Sequence, residues 1–118
     1  MKKMEIKKQK INENVVLEIN GRLDTTNYSE LDEILIDYIN KNEIQIIVDC
    51  TNMDYISSSG LRVFLTALKK INAANGKFFL CGLQDTIQEI FKISGFTSIF
   101  KIFDNQEEVL KEINNYKT

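Results

Sequence analysis

Three consecutive serines are the first feature of this sequence that could carry chemistry. Ser57, Ser58 and Ser59 follow a strand-like apolar segment and precede Gly60 and a helical pattern, in the stretch DCTNMDYISSSGLRVFL. Hydroxyl groups at such a junction can act as a nucleophile, line a phosphate-binding loop, cap the helix or accept a phosphoryl group. Each of these uses requires different neighbouring residues.

Nucleophilic catalysis lacks its partner residues. The chain contains no histidine, which excludes Ser-His-Asp and Cys-His mechanisms. No glycine precedes the serines as G-x-S-x-G requires, and no lysine stands three residues after any of them. We therefore predict no catalytic residue and no enzymatic activity. With two cysteines and no histidine, a zinc site is not expected either, so we predict no bound metal.

Phosphate-binding loops are also missing from the sequence. Neither G-x-x-x-x-G-K-[ST] nor G-x-G-x-x-G occurs, and Gly76-Lys77 precedes a strand pattern rather than opening a helix. The acidic pair that a receiver domain carries after its first strand does not follow residues 4–11. We predict no cofactor, and nucleotide binding by the domain remains only a third alternative.

Capping and phosphorylation both fit a helix start. One serine hydroxyl that accepts an N–H of the first turn stabilises a helix by about 1 kcal/mol, which explains one serine and not three. The first turn also presents unpaired N–H groups and a partial positive charge. A phosphoserine there adds about −1.5 to −2 charges where the helix tolerates them, and changes the charge of the surrounding surface.

The bulk composition is that of one globular domain. The 118 residues are 43% hydrophobic and 27% charged, with a net charge of −2 and scattered basic residues, so a nucleic-acid partner is not expected. No segment approaches the roughly 20 apolar residues of a membrane span, and the basic start lacks the apolar region of a signal peptide. We therefore expect a cytoplasmic protein without membrane insertion, in which Cys50 and Cys81 are buried free thiols.

Hydrophobic periodicity predicts alternating strands and helices. The expected order is β-β-α-β-α-β-α-β-α, an α/β domain with a mixed, mostly parallel sheet, about four helices and a first hairpin. Thr26 or Asn27 is expected to cap the first helix, and Asp85 the third. Strands are predicted at residues 4–11, 14–20, 43–50, 77–83 and 98–103, and helices at 28–40, from the serines to 75, at 85–95 and at 105–116.

Two motifs resemble the STAS domain, in particular the bacterial anti-sigma factor antagonists. VDCTNMDYISSSGLRVFL is similar to the family's buried strand ending in D-x-[ST], followed by a loop and D-S-[ST]-G-[LI] at a helix start. INGRLDTTNYSELDEIL is similar to the upstream G-x-[LI]-[DT] element. The resemblance covers nearly the whole chain and implies a single STAS-like domain over residues 1–118.

The resemblance assigns roles to particular residues. It implies phosphorylation at Ser58, with Ser59 and Gly60 completing the motif and Asp24 near the phosphorylated residue. Ser57 stands where the family has Asp, and it is a rival phosphorylation site. The implied partner surface contains the helix start and the preceding loop: Asp24, Thr25, Thr26, Asn27, Ser58 and Arg62. Simpler roles stay open, with Asp24 as a turn or cap residue, Arg62 as a solvated one and Gly60 as a packing glycine.

The function that the resemblance implies is partner switching in the control of a sigma factor. The unmodified protein would bind an anti-sigma factor that is also a serine kinase of the GHKL ATPase type. Phosphorylation at Ser58 would release that partner, and a metal-dependent Ser/Thr phosphatase would reset the protein. The alternative is a STAS scaffold subunit of a transporter or signalling assembly, without a phosphorylation switch.

Overall fold

The protein folds as an α/β domain with helices on both faces of a mixed sheet. The computed structural model describes residues 3–116. The strands are β1 (Glu5–Ile11), β2 (Asn14–Leu23), β3 (Gln45–Asp49), β4 (Met53–Ile56), β5 (Lys77–Cys81) and β6 (Lys101–Phe103). The helices are α1 (Tyr28–Asn40), α2 (Ser58–Ala73), α3 (Asp85–Ile93) and α4 (Gln106–Tyr116), with a 3-10 turn at Phe96–Ser98.

The sheet has the strand order β1-β2-β3-β5-β6, with β4 paired to the end of β2. The β1–β2 hairpin is antiparallel, as predicted, and the other pairs are parallel. Parallel strands place their carboxyl ends at one edge of the sheet, and the loop into α2 leaves from this edge. The predicted mixed, mostly parallel architecture with four helices is therefore confirmed.

The central strands are buried on both faces, as their nearly continuous apolar runs predict. Side chains of alternate residues enter two separate cores: Ile46 and Val48 of β3 pack beneath α1, α2 and α3, and Ile47 packs beneath α4. Phe64 of α2 and Phe91 of α3 are fully buried in the larger core and lie 6.5 Å apart, centroid to centroid. This packing anchors the amino-terminal half of α2 against the sheet.

The predicted order lacks strand β4, and the predicted second strand ends three residues before the end of β2. The segment predicted as a loop between β3 and the serines contains β4, which runs parallel to residues 21–23 of β2. Strand β2 does not stop at Gly21, because that glycine has a φ of 103° and forms an irregularity that lets the strand continue to Leu23. Four residues are too few for a periodic pattern, so β4 depends on pairing with a strand about 30 residues earlier in the chain.

Several predicted details are also corrected by the structure. Asn27 precedes α1 but its side chain makes no cap bond to the helix, and Gln84 rather than Asp85 occupies the position before α3. The last strand begins at Lys101 and not at residue 98, because Ser98 belongs to the 3-10 turn. The apolar periodicity of α1 and α3 places Tyr28 and Ile90 on the buried helix faces, but the structure leaves them 39% and 38% exposed.

Candidate functional site

The serine run begins with a helix cap. Ser57 has extended backbone angles, φ −88° and ψ 170°, and its Oγ accepts the N–H of Gly60 at 3.2 Å. Its own N–H donates to the carbonyl of Leu23 at 2.9 Å, which ties the start of α2 to the end of β2. Ser57 is only 8% exposed. Its hydroxyl therefore has a structural partner and little access to solvent.

The next two serines lie in different environments. Ser58 is the first residue of α2 and is exposed, whereas Ser59 is half-buried and lines a groove between α1 and α2. Only Ser58 combines exposure with a position at the helix start. The hydroxyl of Ser57 thus caps the helix, Ser58 is exposed to solvent, and Ser59 lines the groove.

Gly60 is a packing residue. A Cβ at this position would lie 2.8 Å from Cγ of Leu23 and 2.9 Å from Cγ1 of Ile56, both of which are buried. Those distances are too short for a carbon–carbon contact, so any larger residue would push α2 away from β2 and β4. The glycine allows the helix start, and Ser58 with it, to sit directly on the sheet edge.

The loop between β2 and α1 is organised by Asp24. The Oδ1 of Asp24 accepts the N–H of Thr26 at 2.9 Å and its hydroxyl at 2.6 Å. Asn27 accepts the N–H of Asp24 at 2.9 Å and donates to the carbonyl of Arg22 at 2.8 Å, while Thr25 is exposed. The hydrogen bonds from Thr26, aided by Arg22, lower the pKa of Asp24 below its ordinary value.

A stacked pair beside this loop was not anticipated from the sequence. Arg22 of β2 and Tyr55 of β4 are register partners, and the guanidinium carbon lies 4.0 Å from the centre of the tyrosine ring. The Nε of Arg22 also lies 3.6 Å from Oδ2 of Asp24. Tyr55 is 40% exposed. The pair forms because β4 lies beside β2, and the sequence pattern does not predict β4. The contact between Arg22 and Tyr55 therefore could not be predicted from the sequence.

Arg62 lies on the exposed side of α2. It lines a groove of about 180 Å³ together with Ser59, Lys70, Tyr28 and Asp32, the last two from α1. Tyr28 directly follows the loop at residues 24–27 in the chain, so the groove begins where that loop ends. We call the predicted partner-binding residues, 24–27, Ser58 and Arg62, the switch surface.

The D-x-[ST] element at the end of β3 is internally bonded. Oδ1 of Asp49 accepts the N–H and the hydroxyl of Thr51 at 3.0 and 2.6 Å, and its Oδ2 accepts Nε2 of Gln106 at 2.7 Å. Gln84 donates to the carbonyl of Thr51 at 3.0 Å. These bonds join β3 to α4 and to the loop before α3, so the motif has a structural use of its own.

The described residues offer neither a metal-binding cluster nor a membrane-spanning helix. Residues 3–116 contain no group of three or more His, Cys, Asp or Glu side chains placed to hold a metal ion. Over the same range, no helix combines the length and apolar character needed to cross a bilayer.

Fold and motifs together define the class, and comparison with known proteins agrees with it. The model of the STAS domain matches residues 5–109, and the chain belongs to this family, among its anti-sigma factor antagonists. BtrV of Bordetella bronchiseptica, which is assigned as an anti-sigma factor antagonist, is 34% identical over 104 residues. These cover 88% of this chain and 90% of BtrV.

Solved structures show the same fold. A Thermotoga maritima protein that is assigned as an anti-sigma factor antagonist superposes with a TM-score of 0.90 at 23% identity. The match covers 92% of this chain and 94% of that one. The Bacillus cell-fate determinant SpoIIAA in its phosphorylated form superposes with a TM-score of 0.74 at 20% identity. The match covers 94% of this chain and 99% of SpoIIAA.

Proposed function

We propose that this chain is a non-enzymatic partner-switching regulator: unmodified, it binds an anti-sigma factor, and phosphorylation of Ser58 weakens that complex. Family membership supports the first half, because the relatives carry the name of anti-sigma factor antagonists. The observation that carries the second half is the exposed hydroxyl of Ser58 at the first position of α2. SpoIIAA, which shares the fold, has been solved in a phosphorylated form.

The environment of each serine favours Ser58 over its rival. A kinase must bring the γ-phosphate of ATP in line with the attacking oxygen, which requires an accessible hydroxyl. Ser57 is 8% exposed and its Oγ accepts the N–H of Gly60, so its modification would disrupt the cap. Ser58 has no such cost, and its phosphate would lie at the positive end of α2.

The chemistry would belong to the partner. Oγ of Ser58 would attack the γ-phosphorus of ATP, forming an O–P bond as the bond to ADP breaks, while the hydroxyl proton passes to a base of the kinase. The anti-sigma factor would itself be a serine kinase of the GHKL ATPase type, and a Ser/Thr phosphatase would remove the phosphate by hydrolysis. This chain would contribute only the hydroxyl and would act in the cytoplasm, where ATP and the sigma factor are available.

The effect of the phosphate on binding would be electrostatic. A phosphoserine brings about −1.5 to −2 charges at pH 7 to a chain whose net charge is −2. Asp24, Asp32 and Asp54 already place carboxylates around the switch surface. Binding to a partner surface that fits the neutral hydroxyl would then require the phosphate to lose its hydration. It would also bury the phosphate beside these carboxylates, which repel it.

The test is phosphorylation by the cognate anti-sigma factor with ATP, followed by intact-mass measurement. One phosphate is expected on the wild type and on Ser59→Ala, and none on Ser58→Ala. Ser57→Ala serves as the matched control: labelling should persist, while loss of the cap lowers the free energy of unfolding by about 1 kcal/mol. Equal labelling of wild type and Ser58→Ala would show that Ser58 is not the phosphorylated residue.

Affinity capture from the native cell addresses the partner. Recovery of an anti-sigma factor kinase with the wild type, and its loss when phosphoserine replaces Ser58, is the expected result. Recovery of a transporter or signalling subunit, with no effect of phosphoserine, would support instead the scaffold role that the sequence left open.

A further inference from the structure

The residue four positions after Ser58 is a cation without an ion-pair partner. Arg62 is exposed, and among the described residues 3–116 it forms no salt bridge. Arg22, the other arginine of this region, differs because it is held between Asp24 and the ring of Tyr55. Arg62 therefore keeps its full hydrogen-bonding capacity for a new anionic group.

Helix geometry directs Arg62 toward Ser58. Residues four apart are neighbours on one face of a helix, separated by about 6 Å along the axis. Side chains on a helix lean toward its amino end, so a long side chain at position 62 covers the turn that contains Ser58 and Ser59. The groove agrees with this direction, since Ser59 and Arg62 line it together.

We infer that Arg62 is the intramolecular counter-ion of a phosphate on Ser58, and that phosphorylation draws its guanidinium from the groove between α1 and α2 onto the phosphate. The inference rests on the proposed function only in taking Ser58 as the modified residue. The planar guanidinium presents paired N–H donors that match two phosphate oxygens, which a lysine cannot do.

This pairing gives the switch a second component. A phosphate alone adds charge at the switch surface. A phosphate that also engages Arg62 removes a cationic donor from the groove beside Tyr28 and Asp32. The partner would thus meet an added anion and lose a donor in one step.

The experiment places phosphoserine at position 58 by genetic-code expansion, so it requires no kinase. The pKa of the phosphoserine is measured by ³¹P NMR titration in the otherwise wild-type chain and in Arg62→Gln. Lys69→Gln is the matched control, because it removes one positive charge from an exposed position of the same helix. Asp24, Asp32, Asp54, Arg22 and Lys70 surround the switch surface in all three proteins, so their effects cancel.

The phosphoserine pKa is expected to be about 0.3 units higher in Arg62→Gln than in the otherwise wild-type chain, the size of an i,i+4 ion pair, and unchanged in Lys69→Gln. The Nε–H resonance of Arg62 should move on titration with the same midpoint. A shift in Arg62→Gln no larger than in Lys69→Gln, with a stationary Arg62 resonance, would overturn the inference. Failure of a kinase to label Ser58 would instead count against the proposed function and leave this result untouched.

Discussion

At the residue scale, three identical side chains differ because each helix-start position has its own environment. The hydroxyl before the helix is turned back to Gly60, the next one is exposed, and the third lines a groove. Serine and aspartate are equally good at the cap position. Ser57 in place of the family's Asp therefore preserves the cap and removes one negative charge beside the proposed phosphorylation site.

The loop before α1 offers a residue-scale test through the pKa of Asp24. Thr26→Val removes the hydroxyl that lies 2.6 Å from Oδ1, so the pKa should rise toward its ordinary value of 3.8. The lowered pKa means that this carboxylate stabilises the fold above pH 4 or so, and that the contribution is lost as the pH falls through the folded-state value.

A carboxyl ¹³C NMR titration measures this pKa directly. Thr25→Val is the control, because Thr25 is exposed and adjacent in sequence, and it should leave the Asp24 titration unchanged. An Asp24 titration that coincides in wild type and Thr26→Val would mean that the hydroxyl bond does not form in solution.

At the scale of elements, side chains at the carboxyl edge of the sheet hold separate segments together. Asp49 of β3 binds Gln106 of α4, and Gln84 binds the carbonyl of Thr51. Gly82 has a φ of 72°, and a Cβ there would lie 2.2 Å from Oγ1 of Thr51. The edge from which α2 departs is thus fixed by bonds between residues far apart in sequence.

Gln106→Ala should lower the free energy of unfolding by about 1–2 kcal/mol, because the largely buried carboxylate of Asp49 loses the hydrogen bond that Gln106 donates to its Oδ2. Urea denaturation measures this value. Gln88→Ala, at an exposed position of α3, is the matched control and should change it by less than about 0.5 kcal/mol. Equal stability of the two variants would show that the Gln106 bond contributes nothing.

At the scale of the whole molecule, the sheet separates two cores, and each contains one thiol. Cys50 belongs to the core beneath α1, α2 and α3, and Cys81 to the core beneath α4. Both are free and fully buried, as the sequence predicted. Burial raises the pKa of Cys81 to about 12 and that of Cys50 well above 9, with further contributions from Asp49 and, for Cys50, from Cys81.

Neither thiol should react with a disulfide reagent at pH 8 in the native protein, and both should react after unfolding. An engineered Ser94→Cys at an exposed position is the control and should react at once. Since both pKa values are raised, the stabilisation from the neutral thiols is complete below about pH 9, and the part from Cys81 is lost as the pH rises through about 12. Rapid reaction of two thiols under native conditions would contradict the two-core arrangement.

Local sequence patterns are sufficient to predict the order of most elements, the two-sided burial of β3 and β5, the helix start at the serines and the family. These features depend on local patterns: the period of apolar residues, glycine and asparagine stops, and two motifs at a set separation. The absence of histidine likewise argued against serine catalysis without any knowledge of the fold.

Features that depend on residues distant in the chain follow from the three-dimensional arrangement alone. Strand β4 exists because β2 continues past Gly21 and pairs with it, and the stack of Arg22 on Tyr55 follows from that pairing. Which serine is buried depends on how closely Gly60 allows α2 to approach Leu23 and Ile56. Burial and strand pairing are set by these long-range contacts, which no local window of sequence contains.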